Sequence, residues 1–288
     1  MYLNEITDIR QSDNWSKYLA LYGWKSIKTR NGSILRINGN FLTCRANLQI
    51  PSELSSKDLE EIEYICRRSD VHILKISPNH NQDVSILEDC GYKQTNQIEL
   101  IPNTVFLDLS LGAENLFSLF TRSCRYSINK ANRDGCYTKI VRNPTPAETL
   151  DFYKTLSLRA KKKKFTILGL KDVQKKVDVF GVDSFICNVF DSKDRLLGTK
   201  LFLGHCGGVW GVHSGTTGLG QKSTGGYKLL YDCIPYFIPL GYKKMDLGGV
   251  SDVRLKNLSK KWEEYSHYKR EFNGEVVYYS LPYYKWLF

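Results

Sequence analysis

The spacing of apolar positions changes repeatedly along the chain, and the two spacings predict two kinds of element. Short runs in which apolar residues alternate with polar ones, or follow one another, are typical of strands. They occupy residues 33–37, 41–46, 71–76, 92–98, 104–109, 138–142, 184–191, 196–204, 209–214, 243–247 and 275–281. Segments with apolar residues three or four apart are typical of helices. They occupy residues 13–22, 56–68, 83–89, 112–133, 148–161, 171–177 and 227–238. The alternation of the two kinds predicts an α/β fold.

A tripeptide that occurs twice in the sequence indicates two halves of similar fold. The tripeptide Gly-Tyr-Lys occurs at 91–93 and again at 241–243, each time between a predicted helix and a predicted strand. Glycine commonly ends a helix, so a glycine between a helix and a strand is frequent in unrelated proteins as well. The two copies lie about one domain length apart, roughly 150 residues. We therefore expect two domains, 1–103 and 104–288.

The composition is that of an ordinary globular protein, with 42% apolar and 25% charged residues. The eight cysteines form no Cys-x-x-Cys pair, and we expect them to be buried thiols in a reducing compartment. The five histidines are scattered without metal-site spacing, so no metal is expected. The N-terminal residues are acidic and polar where a signal peptide is apolar, which predicts a cytoplasmic protein without a membrane span.

Positive charge is concentrated in the second predicted domain. Residues 1–103 contain 12 basic and 13 acidic side chains, whereas residues 104–288 contain 29 basic and 17 acidic ones. The density is highest in residues 154–176, where nine basic side chains accompany one acidic side chain, Asp172. Such a field attracts phosphate groups, on nucleic acid or on anionic lipid head groups. We therefore expect a polyanionic partner, although a solvated helix face would account for lysines 161–164 alone.

A glycine-rich segment, residues 215–226, runs from a predicted strand into a predicted helix. Backbone N–H groups near a helix N-terminus can bind an anion. The segment has neither the Gly-Lys-Ser/Thr of a P-loop nor the glycine spacing of a dinucleotide site. A pyrophosphate site and a mobile loop beside a substrate groove both stay open for it.

Three segments in the second half form a series. The first is Thr-Val-Phe-Leu-Asp-Leu-Ser at 104–110, followed by Arg-Tyr-Ser-Ile-Asn-Lys-Ala-Asn-Arg-Asp-Gly at 125–135. The second is Gly-Tyr-Lys-Lys-Met-Asp-Leu-Gly-Gly-Val at 241–250, and the third is His-Tyr-Lys-Arg-Glu-Phe-Asn-Gly at 267–274. In order and spacing they resemble the FemABX peptidyltransferases across residues 104–280. Trp15 fits the early tryptophan of that family's first domain.

The resemblance implies two tandem GNAT-like (acyl-CoA N-acyltransferase-like) domains with mixed central sheets. It also implies an aminoacyltransferase of peptidoglycan biosynthesis, which adds an amino acid from aminoacyl-tRNA to an amine of a lipid-linked or nucleotide-linked cell-wall precursor. No separate cofactor is expected. A peripheral contact with an anionic membrane fits the same basic half.

By this resemblance Lys269 is the catalytic candidate, because its ammonium group would stabilise the oxyanion that forms when an amine attacks an ester carbonyl. Asp246, at a strand end beside two glycines, would orient that lysine or the amine, or cap the turn that follows. Arg125 and Lys130, five apart on one helix, lie about 140° apart around its axis. The residues expected to bind substrate are Arg125, Lys130, Arg159, Lys164, His213, Gly248 and Gly249.

The chain also departs from the family pattern. Leu19 stands where the family has a lysine for precursor phosphate, Ser77 replaces an aspartate, and Leu168 replaces an arginine. His213 stands where a tyrosine is common. The identity of the acceptor therefore does not follow from the resemblance. Two other functions stay open, a CoA-dependent GNAT N-acyltransferase with acetyl-CoA at 218–226, and a non-catalytic polyanion-binding protein.

Overall fold

The computed structural model describes residues 6–40, 42–163, 167–255 and 263–287. These residues fold as two compact units, each built on its own sheet. The six-stranded unit contains Thr7–Thr104, residues 252–255 and the chain from Val277 onward. The seven-stranded unit contains Val105–Ser251 and residues 263–276. Both sheets are mixed and both carry helices, which confirms the predicted α/β class.

The six-stranded unit is formed mainly by the first third of the chain. Its strands are β1 (Lys25–Lys28), β2 (Ile34–Asn38), β3 (Arg45–Gln49), β4 (Ile73–Ser77), β5 (Lys93–Gln94) and β13 (Tyr283–Trp286). Its helices are α1 (Asp13–Ala20), α2 (Ser56–Arg67) and α3 (Ser85–Asp89). The sheet order is β1-β2-β3-β4-β13-β5, with β3 and β4 parallel and the other pairs antiparallel.

Strand β13 lies inside this sheet, between β4 and β5. Tyr283 pairs with Ile76 on one side and with Gln94 on the other. Its side chain is 1% exposed, and its hydroxyl donates to the Glu88 carboxylate at 2.9 Å. The sequence places this segment in the domain 104–288, beyond the last predicted strand at 275–281, whereas the structure makes it an internal strand of the six-stranded unit.

The seven-stranded unit carries the three segments that resemble the FemABX proteins. Its strands are β6 (Asn103–Asp108), β7 (Tyr137–Arg142), β8 (Ser184–Phe190), β9 (Leu196–His205), β10 (Gly208–Thr216), β11 (Lys244–Asp246) and β12 (Glu275–Tyr278). Its helices are α4 (Ala113–Leu119), α5 (Arg122–Arg133), α6 (Pro146–Lys163), α7 (Leu170–Phe180), α8 (Gly225–Phe237) and α9 (Glu263–Arg270). The sheet order is β12-β6-β11-β10-β9-β8-β7. The rings of Phe185, Phe202 and Phe237 pack together between α8 and the sheet.

Strands β10 and β11 separate part of the way along the sheet. They run parallel and pair only over residues 208–210 and Lys244–Asp246. Beyond this point β11 has ended, whereas β10 continues to Thr216 along β9, with a register shift between Gly211 and His213. Such irregularities often re-aim side chains beside functional sites. We call the opening between β10 after Trp210 and the chain after Asp246 the strand fork.

The helix predicted at 112–133 is wrong in one respect, because the structure contains two helices there, α4 and α5. Phe120 adopts an extended conformation, and the Thr121 hydroxyl accepts a hydrogen bond from the Cys124 N–H at 3.2 Å. A threonine N-cap satisfies one of the N–H groups at the beginning of a helix. The apolar spacing continues through the break, so spacing alone could not reveal it.

Other differences are local. The strand predicted at 41–46 is β3, which begins at Arg45, because the Asn40 side chain accepts from the Leu42 and Thr43 N–H groups and holds a turn. Residue 41 lies outside the described residues. The strand predicted at 92–98 is only β5, and β1 and α9 were not predicted. In the described ranges, no helix is both long enough and apolar enough to cross a membrane.

Candidate active site

Asp246 ends β11 at the strand fork, and its carboxylate shapes the turn that follows. Its Oδ1 atom accepts a hydrogen bond from the Gly248 N–H at 2.6 Å. Gly248 has a φ of +85°, in the left-handed region that favours glycine. A Cβ atom there would also lie 3.3 Å from the Gly211 carbonyl oxygen and 3.3 Å from Lys269 Nζ. Backbone conformation and close packing therefore both favour glycine at this position.

Lys269 reaches the same turn from α9. Its Nζ atom donates a hydrogen bond to the Gly249 carbonyl oxygen at 2.7 Å. The neighbouring Tyr268 hydroxyl donates to the Gly226 carbonyl oxygen at 2.6 Å, and its ring packs edge-on against Tyr227. These contacts attach α9 to the beginning of α8. The structure thus brings together four of the residues that the sequence singled out, namely Asp246, Gly248, Gly249 and Lys269.

The surroundings of Lys269 change its protonation. Its pKa is lowered to about 7, mainly by burial and next by the positive charge of Lys200, while the Asp246 carboxylate opposes the shift. An ordinary lysine has a pKa of about 10.4. At neutral pH the side chain is therefore divided between the ammonium and the amine form. The first form can stabilise an oxyanion, and the second can accept a proton.

Lys200 is a second lysine at the strand fork, which sequence reasoning missed. It lies on β9, is 7% exposed, and donates from Nζ to the Leu247 carbonyl oxygen at 3.0 Å. Its side chain crosses Gly211 of β10, where a Cβ atom would lie 2.3 Å from Lys200 Cε and 2.7 Å from its Nζ. Glycine at 211 therefore leaves the space that Lys200 occupies. Burial lowers the pKa of Lys200, and the charge of Asp246 opposes this shift.

The sequence does contain a pattern that indicates a buried, partnered charge at Lys200. Strand β9 reads Leu-Leu-Gly-Thr-Lys-Leu-Phe-Leu-Gly-His, in which one lysine interrupts an apolar run. A charged group inside a strand that is buried on both faces needs a polar partner, because burying an unpaired charge is costly. The partner could not be found from spacing, since the Leu247 carbonyl lies 47 residues further along the chain.

His213 follows the register shift on β10 and belongs to a different polar cluster. Its Nε2 atom lies 3.4 Å from Lys176 Nζ, and Lys176 pairs with Asp172 at 2.7 Å. The pKa of His213 is lowered to about 4, chiefly by burial and then by the charge of Lys176. The imidazole is therefore neutral at physiological pH, and its Nε2 accepts the hydrogen bond. Its role in substrate binding stays a prediction.

Arg125 and Lys130 both lie on α5 and have local contacts. Arg125 Nη1 donates to the Ser118 carbonyl oxygen at 2.8 Å and to the Phe120 carbonyl oxygen, which holds the break between α4 and α5. Lys130 is half-buried and pairs with Asp134 at 2.7 Å, near the end of α5. These contacts give both side chains structural roles. Their predicted roles in substrate binding are not tested by them.

The basic segment 154–176 is described only in part. Lys164 and the side chain of Arg159 lie outside the described residues, so their role in substrate binding stays a prediction. On the described part of α6, Lys154 forms an exposed ion pair with Asp151 at 2.8 Å, and Lys161 is exposed. Exposed ion pairs of this kind are weak and screened by salt. Such cations remain able to exchange their partners for phosphate groups.

The glycine-rich segment 215–226 packs closely on β9. A Cβ atom at Gly220 would lie 1.8 Å from the Leu197 carbonyl oxygen, which explains the glycine there. Several N–H groups of the segment donate within it, among them Gly220 to Thr217 Oγ1 at 3.1 Å and Gly225 to Ser223 Oγ at 3.2 Å. These two N–H groups are therefore not available to a pyrophosphate.

A surface pocket of about 270 Å³ adjoins α9. It is lined by Thr121, Ser251, Glu263, His267, Arg270 and Glu271. The Glu271 carboxylate accepts hydrogen bonds from the Ser123 and Tyr227 hydroxyls, which fix it in place. Among the described residues, no group of three His, Cys, Asp or Glu side chains is placed to hold a metal ion. The expectations of no metal and no separate cofactor stay predictions.

Comparisons with known proteins bear on the fold. No protein-family model matches the sequence, and no curated protein matches it. The crystal structure of FemX is similar with a TM-score of 0.79 and 11% identity, over 97% of this chain and 92% of that chain. The C-terminal domain of an Agrobacterium fabrum protein named as a lysylphosphatidylglycerol synthetase has a TM-score of 0.64 and 11% identity, over 96% and 87% of the two chains. A tandem GNAT protein from the clavulanic acid biosynthesis pathway has a TM-score of 0.53 and 12% identity, over 89% and 79%.

These similarities extend over most of each chain, whereas the sequence identities are low. Proteins this distant in sequence share a fold and not necessarily a reaction. The chain therefore has the tandem GNAT-like fold of FemX, and at the level of the fold the resemblance carried by the three segments is confirmed.

Proposed function

We propose that this chain is an aminoacyltransferase, which moves an amino acid from the ester of an aminoacyl-tRNA to an amine of a cell-wall precursor. The fold shared with FemX, and with a domain named as a lysylphosphatidylglycerol synthetase, supports transfer to a molecule of the cell envelope. The peptidoglycan precursor is the acceptor that the FemABX resemblance implies, and it is the part of the proposal that the precursor assay below tests.

The observation that carries the proposal is the partly buried ammonium of Lys269 beside the Gly248–Gly249 peptide, 2.7 Å from the Gly249 carbonyl oxygen. When the acceptor amine attacks the ester, a C–N bond forms and the carbonyl oxygen gains negative charge. An ammonium has three N–H donors, so Lys269 can keep its bond to Gly249 and still donate to this oxygen. The ester C–O bond then breaks, and the ribose hydroxyl leaves with a proton.

The charge distribution supports a tRNA donor. Residues 104–288 hold 29 basic against 17 acidic side chains, which gives this half a positive field. Binding of tRNA depends largely on such fields, because each phosphate contact releases counterions.

The packing of the glycine-rich segment weighs against the CoA-dependent alternative. A CoA pyrophosphate needs free backbone N–H groups before the long helix of its domain. The Gly220 and Gly225 N–H groups are bonded within the segment, and Gly220 lies against Leu197.

The test is mass spectrometry of nucleotide-linked and lipid-linked precursors after incubation with the protein and a charged tRNA pool. We expect the precursor to gain the mass of at least one aminoacyl residue with the wild type and to gain little with Lys269→Met. The matched control is Lys193→Met, which changes an exposed lysine in the β8–β9 turn and should behave as the wild type. Acetyl transfer from acetyl-CoA without aminoacyl transfer would replace the proposal by the CoA-dependent one. Binding of tRNA without any transfer would leave only a polyanion-binding protein.

A further inference from the structure

We infer that Lys200 is a positioning residue for Lys269, which holds the strand fork in shape and keeps a second positive charge beside the catalytic ammonium. Its effect on transfer rests on the proposed function. Its effect on the Lys269 side chain does not, and the two effects can be measured separately.

The backbone of the turn is held at three successive residues by charged side chains. Lys200 Nζ donates to the Leu247 carbonyl oxygen at 3.0 Å, and Asp246 Oδ1 accepts from the Gly248 N–H at 2.6 Å. Lys269 Nζ donates to the Gly249 carbonyl oxygen at 2.7 Å. Lys200 therefore fixes one end of the turn whose other end carries the acceptor for Lys269.

Two glycines make room for this arrangement. Gly211 lies under the Lys200 side chain, with no space for a Cβ atom between them, and Gly248 lies against both Gly211 and Lys269. The Lys200 ammonium is thus directed across β10 toward the turn. A lysine that served only to fill space would not need to reach across β10 to the carbonyl of Leu247, the residue that follows β11.

Among the residues that the structure describes, the two lysines share a single carboxylate. The charged groups that act on Lys269 are Lys200 from β9 and Asp246 from β11. Near Lys200 lie the thiols of Cys187 on β8 and Cys233 on α8. Burial raises the pKa of the Cys233 thiol, so it brings no negative charge at neutral pH. Within the described residues, Lys200 has one shared carboxylate, the Leu247 carbonyl oxygen and the Phe202 ring beside it. A buried cation without a carboxylate of its own is costly for stability, which points to a role in the site.

Removing the charge of Lys200 has a defined direction of effect. A neighbouring positive charge disfavours the ammonium form of Lys269, so its loss raises the pKa of Lys269. For two charges at an effective dielectric constant near 20, the shift is on the order of one pH unit. In the pH profile of the transfer rate, the change that reports the ionisation of Lys269 then moves to higher pH. This direction is the same whether the ammonium or the amine form is active.

The experiment is competitive acylation of the full chain with trace acetic anhydride from about pH 5 to about pH 10, with the Lys269 peptide quantified by mass spectrometry. We expect a titration midpoint near 7 in the wild type and in the control Lys193→Met. The midpoint should rise by about one unit in Lys200→Met and in Lys200→Gln, which keeps an N–H donor without the charge. Lys200→Arg, which keeps the charge, should stay near the wild type.

The same variants are then assayed for transfer across the pH range. A Lys269 midpoint that is equal in the wild type and in both neutral variants would overturn the inference. If Lys200→Met does not fold, Lys200→Gln decides the question. A shifted midpoint with an unshifted pH profile of kcat/KM would show that Lys200 does not act on the reaction through Lys269. Absence of transfer in every protein would count against the proposed function alone, because the labelling result stands by itself.

Discussion

The ammonium group of Lys269 is the group on which the proposed chemistry depends most. Methionine fills a similar volume without charge, so Lys269→Met should leave the fold intact and lower kcat/KM for transfer by roughly 10²-fold, the scale of losing an oxyanion donor. Steady-state kinetics on the purified variant, with circular dichroism as the folding control, measure this. Turnover close to that of the wild type would show that Lys269 has no catalytic role.

The lowered pKa of Lys269 also makes stability depend on pH. Between about pH 7 and the usual lysine pKa, the unfolded chain keeps the proton that the folded chain has lost. Because the unfolded state then binds more protons, the free energy of unfolding rises with pH in this window, by at most about 1.4 kcal/mol per pH unit for one group. Urea unfolding at about pH 7 and about pH 9 should give a smaller rise in Lys269→Met than in the wild type. Equal rises would mean that Lys269 has an ordinary pKa.

At the scale of residues, sequence reasoning found the parts of the site that have a local pattern. Asp246, Gly248 and Gly249 stand in one short motif, and Lys269 stands in a second one, so each could be predicted. Lys200 has no motif, because its importance arises from a carbonyl oxygen on a chain segment that folding brings next to it. The three-dimensional contact is the information that spacing lacks.

At the scale of elements, the break between α4 and α5 assigns Arg125 a structural role. Its guanidinium donates to the carbonyl oxygens of Ser118 and Phe120, near the end of α4. Arg125→Met should therefore lower the free energy of unfolding by about 1–3 kcal/mol, because charged hydrogen bonds to carbonyl groups are lost. Urea denaturation measures it, and Arg122→Met, an exposed neighbour on the same helix, is the control. Unchanged stability with a raised KM for tRNA or precursor would favour the substrate-binding role instead.

The basic segment around the end of α6 is predicted to contact phosphates. If Arg159 and lysines 161–164 do so, tRNA affinity should fall steeply with salt, and each replacement by Gln should flatten the slope by about one unit. Filter binding at several salt concentrations measures the slope. Lys57→Gln, on the exposed face of α2, is the matched control. Identical slopes in all variants would assign the segment to a solvated helix face.

At the scale of the whole molecule, the two proposed enzymatic functions, aminoacyl transfer from tRNA and acyl transfer from CoA, differ in the ligand that the protein must bind. We expect acetyl-CoA to leave the Tm unchanged, because a ligand stabilises a protein only when it binds the folded state. Aminoacyl-tRNA should bind with strong salt dependence. A thermal-shift titration beside a tRNA titration measures both. A clear rise of Tm with acetyl-CoA, without tRNA binding, would reverse the ranking of the two functions.

The α/β fold class could be predicted because helix and strand spacings alternate along the chain. The sheet to which each strand belongs could not be predicted. The pairing of Tyr283 with Ile76 and Gln94 joins residues that lie far apart in the chain, and an alternating pattern does not specify its partner. The short, aromatic C-terminal segment therefore looks like a tail in sequence although it completes a sheet.

The position of β13 also has a consequence for biosynthesis. The ribosome produces β1 to β5 early, but the strand that lies between β4 and β5 emerges after the residues of the seven-stranded unit. Until then the edge of β4 stays unpaired, and the core of the first-made unit lacks Tyr283 and Leu287. Unpaired edges recruit other strands, so we expect the nascent chain to expose an aggregation-prone surface while the seven-stranded unit is being synthesised. The six-stranded unit is thus translated first but can complete its sheet only last. We expect chaperones to bind this sheet before β13 has been added.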